Sequence, residues 1–206
     1  MANAGLNNVV EYAYNASTGS YASSGTVVAG SGVTGGTQFD DPVGVAVDAK
    51  GDLFVSAPGN NSVEEFAYNS ASGTYASLGT YVAGTGVSGS AANQLSAPHG
   101  VALDANGDLF VVDTGNDRVM EYTYNSATAS YATTGTEIAA SLPSGADFLA
   151  LDASGDLFVS YGSASGGWGA RVRLQLRHRR LCQFGGGSRE CQQPGQRHGP
   201  GLQLPW

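Results

Sequence analysis

Three segments of this chain are near-copies of one another: PVGVAVDAKGDLFVSAPGNNSVEEFAYNSASGTYASLGTYVAG, PHGVALDANGDLFVVDTGNDRVMEYTYNSATASYATTGTEIAA and SGADFLALDASGDLFVSYGS. Their spacing is about 50–56 residues, a period typical of propeller blades. Asp48, Asp104 and Asp152 correspond, as do Asp52, Asp108 and Asp156. Glu11, Glu65 and Glu121 form a third column. A unit this small cannot bury its apolar face alone, so copies must stack on one another.

Each unit reads as four short strands. GVAVD is the first, with apolar alternation at Val45 and Val47 and at Val101 and Leu103. DLFVS or DLFVV is the second, VEEFAY or VMEYTY the third, and a Thr/Tyr/Val-rich run starting near Gly-Thr the fourth. The turns DAKGD, DANGD and DASGD join the first two strands. Asp accepts backbone N–H groups in such a turn, and Gly supplies positive φ. Composition agrees: 31 Gly, 41% apolar and 13% charged residues suit an all-β chain of short strands and many turns. The expected fold is an incomplete β-propeller of four-stranded antiparallel blades, about three blades' worth. The spacing assigns residues 1–162 to it: a half blade at 1–30, blades at about 42–84 and 98–140, and a half blade at 143–162.

The middle unit resembles the NHL repeat family. The resemblance rests on PHGVALDANGDLFVVDTGNDRV at Pro98–Val119. The first unit lacks the Asp and Arg of that pattern, having Ala57 and Ser62, and the third departs at Ser144-Gly145-Ala146-Asp147. Such a resemblance implies an open-centred propeller of about six blades. It implies no single activity, because fold alone does not fix function.

Basic residues break the pattern. Before position 171 there are only Lys50 and Arg118; then come Arg171, Arg173, Arg177, Arg179 and Arg180. The codons of Arg171–Gly185, read out of frame, permit E-Y-A-Y-N-S-A-T-G-x-Y-A-S-S-G, the repeat itself. Residues 163–206 therefore read as a frameshifted tail expected to be disordered, and the whole as a truncated piece without independent activity. Cys182, Cys191, His178 and His198 are accordingly not read as a disulfide or ligands.

Candidate sites are few. The aspartates at 48, 52, 104, 108, 152 and 156 lack the further oxygen ligands and distal Glu of a calcium loop, so they read as structural turns. Asp113 and Arg118 form a candidate pair between second and third strands. His99 starts a first strand, where Val43 and Ser144 stand in the sister units. By the resemblance that end lines the central mouth, which makes His99, Asp113 and Arg118 the candidate ligand-binding residues. Recurring tyrosines (Tyr12, Phe66, Tyr122; Tyr14, Tyr68, Tyr124; Tyr21, Tyr75, Tyr131) read as packing. There is no Gly-x-Ser-x-Gly, no His-Glu-x-x-His and no Ser/His/Asp set, and neither cofactor nor metal is implied.

Net charge is −8, with most of the basic residues in the tail. An acidic body disfavours nucleic acid and anionic membranes. No apolar run reaches the roughly 20 residues of a membrane span, and MANAGLNNVVEY has no signal-peptide character. A Lys-poor, Ser/Thr/Gly-rich repeat suits a bacterial exterior. The expected role is a binding scaffold for a protein or glycan partner, with open flanks able to self-associate. The alternative is a propeller enzyme of streptogramin-lyase-like or gluconolactonase-like type.

Overall fold

The computed structural model describes residues 1–161 and the strand at 172–175. Residues 1–30 form β1 (Ala2–Asn3), β2 (Asn8–Glu11), a small hairpin of β3 (Tyr14–Asn15) and β4 (Ser20–Tyr21), and β5 (Thr26–Gly30). The first complete unit contains β6 (Val45–Val47), β7 (Leu53–Ala57), β8 (Ser62–Phe66), the hairpin β9 (Tyr68–Asn69) and β10 (Thr74–Tyr75), and β11 (Thr80–Ala83). The second repeats it with β12 (Pro98–Leu103), β13 (Leu109–Asp113), β14 (Arg118–Tyr122), β15 (Tyr124–Asn125), β16 (Ser130–Tyr131) and β17 (Thr136–Ala139). The last has β18 (Ala146–Leu151), β19 (Asp156–Tyr161) and β20 (Val172–Gln175).

Both complete units are four-stranded antiparallel sheets, in the orders β6-β7-β8-β11 and β12-β13-β14-β17. The first strands β6, β12 and β18 pack on one another and make the inner edge; β11 and β17 lie outermost. Close approach at the inner edge requires glycine at two positions. A Cβ on Gly44 would collide with the His99 carbonyl, and one on Gly100 would lie 2.8 Å from the Asp147 oxygen.

The core lies between units rather than within them. Phe54, Val63 and Val82 of the first unit meet Val101, Leu109, Val111 and Met120 of the second. Val9 and Ala29 meet Leu53, Val55 and Phe66 in the same way, and Val112 and Val119 meet Leu157 and Val159. This explains why LFVSA and LFVVD read as nearly continuous apolar runs. Both faces of β7 and β13 are covered, so every residue in them is buried.

Two expectations change. The third strand stops at Phe66 and Tyr122, and the following tyrosine opens a separate hairpin instead of extending it. The second aspartate of each turn causes this. Asp52 Oδ1 accepts the Tyr68 N–H at 2.7 Å, and Asp108 Oδ1 accepts that of Tyr124 at 2.7 Å, so these amides leave the ladder. The disordered tail is also corrected at one place. Val172–Gln175 pairs antiparallel with β19, in the third-strand position, and supplies partners to an edge otherwise unpaired. The rest of the tail, with its cysteines and histidines, lies outside the described residues.

Candidate ligand-binding site

The turn aspartates are consumed by their own backbone. Asp48 Oδ1 accepts the N–H of Lys50 and of Asp52 at 2.9 and 2.8 Å. Asp104 does the same for Asn106 and Asp108, and Asp152 for Ser154 and Asp156. Gly51, Gly107 and Gly155 take the positive φ that closes each turn. Among the described residues no group of three His, Cys, Asp or Glu converges on a point where a metal could sit.

Asp113 and Arg118 are opposite one another across β13 and β14. Asp113 is fully buried; its carboxylate accepts Arg118 Nε at 2.8 Å, Asn116 Nδ2 at 2.8 Å and the Ser96 N–H at 2.7 Å. The guanidinium also donates to the carbonyls of Ser90 and Gln94, at 2.9 and 3.1 Å. Its donors are therefore spent on the segment that leads into β12. This pair fastens one unit to the loop before it and presents no open face to a ligand.

His99 is different. It sits at the start of inner strand β12, and its Nδ1 is 2.6 Å from Asp147 Oδ1 on β18, in the next unit. The side chains keep 28% and 36% of their surface exposed. Ser56 fixes the backbone behind the ring: its Oγ accepts the Gly44 N–H at 2.8 Å and donates to the His99 carbonyl. A histidine held through Nδ1 by a carboxylate leaves Nε2 available to a ligand. The arrangement can accept or donate one hydrogen bond and, with Asp147 orienting the ring, can take up a proton.

The structure thus brings together His99 and Asp147, not His99 with Asp113 and Arg118. It also corrects the sister position. Ala146 pairs with Tyr161 as Pro98 pairs with Asp113, so Asp147, not Ser144, matches His99. The signal was present: Asp147 and His99 each stand five residues before a turn aspartate, Asp152 and Asp104. The third unit's altered opening hid it. Ser56 carried only a partial sequence signal: Ser160 takes its place in the third unit and accepts the Phe148 N–H as Ser56 accepts that of Gly44, but the second unit has the buried Val112 there.

Stacked four-stranded antiparallel units around an inner edge of first strands make this chain a β-propeller. It belongs to the lactonase family of seven-bladed β-propellers, whose family model matches residues 6–157. Seven blades is one more than the NHL resemblance implied. Among solved structures, a luciferin-regenerating enzyme aligns at 12% identity with a TM-score of 0.51, covering 73% of this chain and 47% of that one. A streptogramin B lyase aligns at 14% identity and TM-score 0.44, over 85% and 51%. An auxiliary nutrient binding protein from Bacteroides ovatus aligns at 13% and 0.47, over 77% and 41%. The chain spans about half the length of these structures. No curated protein matches it.

Proposed function

We propose that this propeller is a binding scaffold built from NHL-type units, and that it holds a ligand of its protein or glycan partner at His99 and Asp147. The observation that carries this is the His99–Asp147 contact itself. It is a partly exposed polar pair at the inner edge, whereas the buried pair Asp113–Arg118 is fully engaged. A hydroxyl or amide of a ligand is the natural partner for the free Nε2.

The family match favours a second reading, the opening of a lactone-type ring. His99 would take a proton from water as that water adds to the carbonyl, with Asp147 stabilising the resulting imidazolium, and would return that proton to the ring oxygen as the acyl C–O bond breaks to give the hydroxy acid. The full chain incubated with δ-gluconolactone and γ-butyrolactone separates the two. Acid release no faster than in buffer supports the scaffold. Release that disappears in His99→Ala overturns it in favour of the enzyme. The out-of-frame reading of residues 163–206 belongs to the same proposal. Sequencing the source DNA from the Tyr161 codon to the stop tests it, and a second frame without repeat sequence would refute it.

A further inference from the structure

His99 and Asp147 both lie where the ladder of their own sheet is irregular. The pairing of β12 with β13 shifts between Pro98 and Val101, and that of β18 with β19 shifts between Ala146 and Leu149. Regular strand pairing therefore fixes neither backbone at the residue that carries the contact. Among the described residues the Asp147 carboxylate has one hydrogen-bond partner, His99 Nδ1. Its place is set by the peptide from which it hangs.

That peptide is held from the neighbouring unit. Thr114 Oγ1 donates at 2.8 Å to the Ala146 carbonyl, the oxygen of the Ala146–Asp147 peptide bond. Ala146 is itself fully buried, in the apolar cluster that includes Val112. Thr114 opens the short turn Thr114–Asn116 between β13 and β14. The residues on either side of it hold the other half of the pair. Asp113 Oδ1 accepts the Ser96 N–H at 2.7 Å, and the Gly115 N–H donates to the Ser96 carbonyl at 2.8 Å. One tripeptide, Asp113-Thr114-Gly115, thus grips the segment that enters β12 and the peptide that enters β18.

The repeat marks this bond as particular to the second unit. Thr114 stands where the first unit has Pro58, which has no hydroxyl. The first unit holds the His99 carbonyl with Ser56 instead, and the second has Val112 in that place. Each complete unit gives one hydroxyl to the inner strand of the next, from a different residue. A ring-to-carboxylate bond of 2.6 Å tolerates little displacement of either partner. Without the Thr114 hydroxyl the Ala146–Asp147 peptide can turn and carry the carboxylate off Nδ1.

We propose that Thr114 is a positioning residue: its hydroxyl sets the Ala146–Asp147 peptide so that Asp147 meets His99 Nδ1 and the neutral ring keeps its proton there. An ionised carboxylate can only accept, so the ring nitrogen facing it must carry the proton. The bare Nε2 is then an acceptor, and a ligand must bring a hydroxyl or an N–H to it. The functional weight of Thr114 rests on the reading of His99 and Asp147 as the binding site; its effect on the ring does not.

Long-range proton–nitrogen NMR on the full chain labelled with [15N]histidine tests it, at about pH 9, where an imidazole is ordinarily neutral. The His99 signals are those lost in His99→Ala. In the parent they should show a protonated Nδ1 and a bare Nε2. Asp147→Ala and Thr114→Val should both lose that pattern, and Thr114→Ser, which restores a hydroxyl, should keep it. Thr114→Ala carries the same expectation as Thr114→Val and serves if the valine variant does not fold; thermal unfolding of each variant checks this. The proposal is overturned if the parent ring carries its proton on Nε2. It is equally overturned if Thr114→Val or Thr114→Ala lowers stability and leaves the parent pattern intact, since Thr114 would then be structural only. No ligand enters this measurement, so a failure of ligand binding or of lactone opening would sink the functional reading and leave the role of Thr114 standing.

Discussion

Arg118 illustrates how much one side chain can hold. Its Asp113 partner is wholly buried and accepts two other hydrogen bonds. Removing the guanidinium strands a buried carboxylate, which costs about 3–5 kcal/mol. The first unit solves the same position with Ala57 and Ser62, without any charge. Arg118→Ser should therefore be strongly destabilising in urea denaturation. The double variant Asp113→Ala/Arg118→Ser should recover at least about 1 kcal/mol of that loss; equal midpoints for the two would show that Asp113 is indifferent to its partner. At this scale the sequence was partly readable. The five-residue spacing of Asp113 and Arg118 suggested their pairing across two strands. Their hydrogen bonds to Ser90, Gln94 and Ser96 were not readable, because the intervening loop follows no repeat and backbone carbonyls carry no side-chain signature.

Elements succeed or fail through their turns. Asp104 Oδ1 receives two backbone N–H groups, and Gly107 sits at φ of 86°. Asp104→Ala should cost about 1–2 kcal/mol, since those amides lose their acceptor. Asp104→Asn keeps an acceptor oxygen and should cost about half as much or less. Ala129→Gly should act in the opposite sense, stabilising by about 0.5–1 kcal/mol, because the sister hairpins already have glycine there. A neutral or negative result in thermal denaturation would mean that the alanine is not strained. The strands themselves could be read from alternation and turn chemistry, since both are local. The Tyr68–Tyr75 and Tyr124–Tyr131 hairpins could not. What separates them from the third strand is one carboxylate, on Asp52 or Asp108, reaching from a turn 16 residues away. β20 was missed for a related reason: pairing with β19 is a demand of the neighbouring edge, which Val-Arg-Leu-Gln does not advertise.

At the scale of the molecule, stability resides in the faces between units, and one of those faces contains a carboxyl. Glu64 on β8 is buried among apolar neighbours, where Val10 and Met120 stand in the sister strands. Burial pushes its carboxyl up to about 6, while the Thr37 hydroxyl works the other way. Burial also raises the neighbouring Glu65, with Asp52 adding to it and Lys50 opposing it. The unfolded chain releases the Glu64 proton near 4.5 and the folded chain only near 6. Between those values the unfolded state binds fewer protons, so stability falls as pH rises. Below about 4.5 there is no penalty, and above about 6 it is complete, about 2 kcal/mol for a shift of this size. Glu64→Met restores the apolar face of the sister unit and leaves no group to titrate there. It should raise the urea midpoint at pH 8, with the advantage over the parent shrinking as pH falls through this window. An advantage of equal size at pH 4 and pH 8 would assign the gain to packing alone and rule out a charged Glu64 as its cause.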